Sequence, residues 1–159
     1  MRTSTRTLRP ARLTDPSESL FPTGEALLSA IRGHHVGPHP LTSIAYQFGQ
    51  LHQQQHLHGP ARPVCPCRAE LSRQTDLWVV DHVPPPHPEA TLHSETLATV
   101  IDRLAVQQVQ AFHLLMNAEP SDPIVHAAWY RLAELVDDYT DLTAAVAHRS
   151  RRLPCTARP

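Results

Sequence analysis

The chain has 159 residues, with 14 basic and 15 acidic side chains, a formal net charge of -1 and only 5 glycines. That length suits one domain with a single core, and scarce glycine with few aromatics argues against a β-sandwich or barrel. Every basic residue is arginine, so chemistry that needs a lysine amine, such as a Schiff base or a phosphate-loop lysine, is excluded. The charge is uneven. Arg2, Arg6, Arg9 and Arg12 make one end basic, Arg149, Arg151, Arg152 and Arg158 the other, and the middle is acidic. An acidic body repels phosphate backbones, so nucleic-acid binding is not expected and could come only from the ends.

In chain order, residues 1–22 read as a disordered basic arm, without periodicity. A first short helix follows over about Gly24 to Arg32, with Thr23 as N-cap and Gly33 as its stop. A second spans about Leu41 to His56, where Leu41, Ile44, Ala45, Phe48, Leu51 and His52 recur at helical spacing. "HGPARPVCP" is a linker. A third helix covers about Cys67 to Asp81, with Leu71, Leu77 and Trp78 as its apolar residues. "VPPPHPEA" then forbids helix. The fourth runs from Ser94, its expected N-cap, to about Asn117. The fifth starts at Ser121 and reaches about Arg149, with a stripe that includes Trp129, Leu132 and Tyr139. The prediction is an all-α fold: four long helices in a bundle with the short helix across it, one domain over 23–150 and a flexible tail over 151–159.

No run reaches the roughly 18–20 apolar residues of a membrane span. The N-terminal residues lack the apolar region of a secretory signal. Three cysteines cannot form a fully paired set, and Cys65 and Cys67 stand too close for an easy mutual disulfide. A cytoplasmic protein with no membrane partner is expected.

The fourth helix raises the functional question. Leu97, Ile101, Leu104, Gln108, Ala111 and Leu115 share one face at about 100° per residue. Glu95, Asp102 and His113 lie together on its flank, interleaved with Val106 and Val109. Such a flank either meets a neighbouring helix or lines a crevice. In a site it offers Glu95 or Asp102 as base and His113 as acid, with Arg103 or Arg131 to hold an anionic group and Trp129 and Tyr139 as ligand-lining rings. In a purely structural role Asp102 pairs with Arg131, and the buried Tyr139 hydroxyl finds Asp102 or His113. His52 and His56, at i and i+4 in "HQQQH", have the spacing of two zinc ligands. The zincin pattern needs Glu where Gln53 stands. The di-iron E-x-x-H pair, the glycine-rich phosphate loop and G-x-S-x-G are all missing. No cofactor is implied.

"LHSETLATVIDRLAVQQVQAFH" resembles the signature helix of a bacterial family catalogued as domain of unknown function 4254. "CRAELSRQTDLWV" and "RLAELVDDYTDLTAAVA" are similar to its neighbouring helices, and "PTGEALLSAIRG" fits its short members, so the likeness runs from about Phe21 to Leu153. The resemblance implies an all-helical protein with no established activity, and adds weight to Glu95, Asp102, Arg103 and His113 as family-defining positions. Two main functions stay open, with a His-based metal or pH sensor on His52 and His56 as a third. One is a binding or accessory protein, possible as a homodimer, for a small-molecule ligand or a protein partner. The other is a small cofactor-independent enzyme of specialised metabolism. They are separated by whether a concave pocket gathers these groups.

Overall fold

The structure is a computed structural model that describes residues 19–59 and 66–156. Among them are five helices: α1 (Gly24–Ile31), α2 (Pro40–His58), α3 (Pro66–His82), α4 (Leu97–Asn117) and α5 (Pro123–Ala147). The fold is all-α, as the periodicity predicts. No helix among the described residues is long and apolar enough to cross a membrane. Arg2, Arg6, Arg9, Arg12 and Cys65 lie outside the described residues.

Local chemistry sets the helix ends. Thr23 accepts from the Ala26 amide and starts α1, and Gly33, at φ 73°, ends it in the left-handed conformation that glycine adopts without strain. At the start of α2, His39 Nδ1 accepts from the Leu41 amide while Nε2 donates to the Leu20 carbonyl, so one neutral tautomer caps the helix and ties down the preceding chain. Helix α4 begins later than Ser94: Thr96 takes the cap, accepting from Thr99 N. Likewise Asp122 caps α5, with Pro123 in its first turn. In both cases the residue whose oxygen reaches a free amide wins over the one predicted upstream.

The central element is α4. It packs against α1, α2, α3 and α5, whereas the sequence assigns it a single buried stripe. Leu97, Ile101, Leu104 and Ala111 are buried as predicted, but so are Ala98, Ala105 and Asp102 on other faces. The stripe also stops early: Phe112, Leu115 and Met116, in the last turns, are exposed. On α3 the prediction fails for Leu77, which faces out, while Thr75 and Asp76 are buried.

The two ends of the described chain are held. Phe21, in the stretch read as arm, is buried against Trp78 in an edge-on ring contact. Past α5, Arg149 adopts a left-handed φ of 64°, and Ser150 N returns to the Ala145 carbonyl, closing the helix end. Residues 151–156, expected as part of a flexible tail, are fastened instead. Arg151–Arg152 (β2) pairs in parallel with Thr91–Leu92 (β1), and Asp76 accepts from both the amide (3.1 Å) and the hydroxyl of Thr156.

Gly49 marks the closest approach of two helices. A Cβ there would lie 2.4 Å from the Ile31 carbonyl oxygen, a backbone atom that cannot swing aside. Gly49→Ala gains about 1 kcal/mol of helix propensity but forces apart α1 and α2, an overpacking cost of about 1–3 kcal/mol. We expect a net loss of stability, read as a lower midpoint in urea; an unchanged or higher midpoint would show that the two helices separate freely.

Candidate functional site

The flank of α4 singled out above runs from a buried end at Asp102 to an exposed end at His113. It faces α2 and the start of α3, and its four members at helical spacing, Asp102, Val106, Val109 and His113, meet two adjoining clefts. Asp102 is the buried end. Its Oδ1 accepts from His52 Nε2 at 2.5 Å, and its Oδ2 accepts from Arg68 through Nε at 2.8 Å and through a second guanidinium nitrogen. Each oxygen of a carboxylate removed from water is thus matched by a donor. Burial pushes the Asp102 carboxyl up, but the hydrogen bonds from His52 and then Arg68 outweigh it, and the net position is below the usual carboxylate range. His52 Nδ1 stands 3.2 Å from the Gln55 side-chain oxygen. With Nε2 committed to the carboxylate, the Gln55 amide fixes the other edge of the ring.

His52 and Arg68 line the first cleft, about 480 Å³, together with Gln55, His56, Val106 and Val109. His56 and Val109 also line the second, a groove of about 380 Å³ between α1, α2 and α4. The floor of this groove is apolar, from Val109, Phe112 and Met116, and its ionisable side chains are Arg32, His34, His56 and His113. The rings of His56 and His113 meet edge-on with centroids 3.9 Å apart, bridging α2 and α4 at the rim. Beneath lies Gln108, 2 % exposed. Its Oε1 accepts from an Arg32 terminal nitrogen at 3.0 Å, which settles which end of the amide is oxygen. Its Nε2 is buried and has no hydrogen-bond partner.

The predicted residues do not gather at one point. Glu95 lies ahead of α4 and pairs with Arg103, which donates to both of its oxygens at 3.1 and 2.6 Å. Arg103 lines a separate crevice between α4 and α5 with Asp138, Asp141 and Arg151. His113 is exposed at the far end of the flank, and its side-chain neighbour in the helix is Asn117. Arg131 is exposed and is not the partner of Asp102. The Tyr139 hydroxyl donates to the Pro22 carbonyl at 2.8 Å, not to Asp102 or His113, and burial pushes its pKa up. Trp129 is a half-buried member of the core. For His52 and His56, the first commits Nε2 to Asp102 and the second packs on His113. Among the described residues no three or more His, Cys, Asp or Glu are grouped as a metal would require.

Three participants were not singled out from the sequence as site residues. Arg68 carries no local signal, since its role depends on how α3 docks. Arg32 is the C-cap of α1 and reaches the groove from there. Gln108 does carry a signal: it is the one polar member of the apolar face of α4.

A family model described as protein of unknown function (DUF4254) matches residues 66–154, more than half of the chain. The match begins at α3, so α1 and α2, with Arg32, His52 and His56, precede it. No curated protein and no solved structure matches.

The position of the Asp102 carboxyl below the carboxylate range sets a sign for pH dependence. The stabilisation it brings is complete above the unfolded value, about 3.9, and is lost as pH falls through the lower folded value. Asp102→Asn must turn an amide N–H toward a donor and should lose about 2–3 kcal/mol at pH 7. Part of the Arg68 contribution is screened, because that side chain is 46 % exposed. Denaturation midpoints of both proteins, measured from pH 7 down to pH 2, should converge as acid protonates Asp102. A constant gap across that range would contradict the ion pair.

Proposed function

We propose that this chain, which belongs to the family described as protein of unknown function (DUF4254), binds a small organic ligand in the groove between α1, α2 and α4. One observation carries the reading: the side-chain nitrogen of Gln108, buried beside the groove with no hydrogen-bond partner. An unmatched buried donor costs about 1–3 kcal/mol. A leucine in its place would carry no such donor, although it would give up the hydrogen bond from Arg32. The oxygen has a structural role, and the unmatched nitrogen is what supports a ligand site. The groove's volume and its mix of apolar floor with a few polar groups are those of small-molecule sites.

A second reading, a small cofactor-independent enzyme, draws on the first cleft. There the imidazole of His52 is oriented by a buried carboxylate, which holds the ring in one position beside the cleft. Binding is the better supported of the two, because both edges of that ring already have partners. A compound that stays chemically unchanged over hours in the presence of the protein fits the binding reading; its conversion, abolished in His52→Gln, would fit the enzyme.

Binding is tested on isotope-labelled protein with a panel of small anionic, neutral and cationic amphipathic compounds. A compound seated in the groove shifts the Gln108 side-chain amide and the Met116 methyl signals. Gln108→Leu removes the unmatched donor and also the hydrogen bond from Arg32, so its stability should stay within about 1 kcal/mol of the parent, while the Met116 methyl signals should no longer respond. If every class of compound leaves these signals in place, the groove is not a ligand site.

A further inference from the structure

We infer that the ligand of this groove is a carboxylate: an organic anion whose carboxylate sits at Gln108 and Arg32 and whose apolar body lies along Val109, Phe112 and Met116. The inference rests on the groove being a ligand site and adds the chemistry of the ligand.

Charge comes first. Among the described residues no Asp or Glu lines the groove, although the chain as a whole is slightly acidic. Its ionisable lining is Arg32, which is always cationic, and three histidines, which are either neutral or cationic. A cationic ligand would meet only like charge or none, and would leave Arg32 uncompensated.

Donor geometry comes second. Arg32 donates to the Gln108 amide oxygen, the Gln108 nitrogen is buried without a partner, and both residues line the groove. Together they supply N–H donors of two kinds, one of them charged. A carboxylate offers two acceptor oxygens in one plane, the counterpart of such a pair. An alcohol or a carboxamide would satisfy Gln108 but not the charge. A phosphate would satisfy both, but its remaining oxygens would press against the apolar floor and lose water without a partner there.

The body of the ligand follows from the walls. Phe112, Met116 and Leu57 are large apolar side chains that stand 51 %, 65 % and 78 % exposed around the groove. An apolar ligand body covers them. The flexible thioether of Met116 and the flat ring of Phe112 adapt to an aromatic or branched shape.

The test uses four probes with one naphthalene body and different heads: 2-naphthylacetate, 2-naphthylacetamide, 2-naphthyl phosphate and 2-naphthylmethylamine. Each is titrated by calorimetry into the full chain, with the Gln108 side-chain amide followed by NMR in parallel. The carboxylate should bind at least tenfold more tightly than the other three. Gln108→Leu and Arg32→Gln, each checked for a folded melting transition, should cut that preference to less than threefold. Arg32 is exposed at a helix end, so its variant keeps the test valid if Gln108→Leu folds poorly. Equal affinities for the four heads, or preference for phosphate or amine, with the Gln108 amide still shifting, would overturn the carboxylate while the ligand groove stands. No binding by any probe and an unmoved Gln108 amide would overturn both.

Discussion

A carboxylate buried in the helix that every other helix touches is the constraint around which this fold is arranged. Asp102 occupies the middle of α4, and α4 packs on α1, α2, α3 and α5. A lone carboxylate there would lose its hydration for nothing, a penalty of several kcal/mol. Its two oxygens therefore draw one donor from α2 and one from α3. His52 and Arg68 lie 50 and 34 residues away in sequence, so the pairing fixes how both helices dock on α4. The cluster ties both helices to α4 through side chains from three elements.

Register has a consequence along the same flank. Once α2 is set against α4 by His52 and Asp102, the next helical turn brings His56 beside Val109 and His113, and the one after opens the groove. The flank changes from a closed polar contact at Asp102 to an open amphipathic cleft at His113. Gln108, one step round the helix, is fixed by Arg32 at the junction of the two. The groove is thus shaped at one end by an ion pair it does not contain.

Much of this was legible in the residues, and the gaps have physical causes. Helical period placed Asp102, Val106, Val109 and His113 on one flank, and the structure keeps them there. It could not say what covers that flank, because docking of α2 and α3 is a tertiary fact. The i, i+4 spacing of His52 and His56 suits a pair facing one ion; in the fold His52 turns to Asp102 and His56 packs on His113, contacts that only the docking of α2 on α4 reveals. Arg131 has the right charge for Asp102 and the wrong helix face. Tyr139 found a backbone carbonyl at Pro22, within a stretch whose proline and serine content reads as an arm. Helix ends shifted by two or three residues where Thr96 and Asp122 made the capping bonds. Gln108 was in plain view as a polar residue in an apolar stripe, and its meaning depended on knowing that Arg32 takes its oxygen and leaves its nitrogen free.

The two walls of the groove stand on either side of the boundary of the family match. Gln108, Phe112, His113 and Met116 stand on α4, inside the segment that matches the family model, while Arg32, His56 and Leu57 precede that segment. One wall is thus drawn from what defines the family and the other from sequence that the family model does not describe. Any exchange of the α1–α2 hairpin would therefore have to keep His52, the donor that Asp102 on α4 requires, and Arg32, which holds the Gln108 oxygen, so the half outside the family match is tied to the half inside it by these two side-chain contacts.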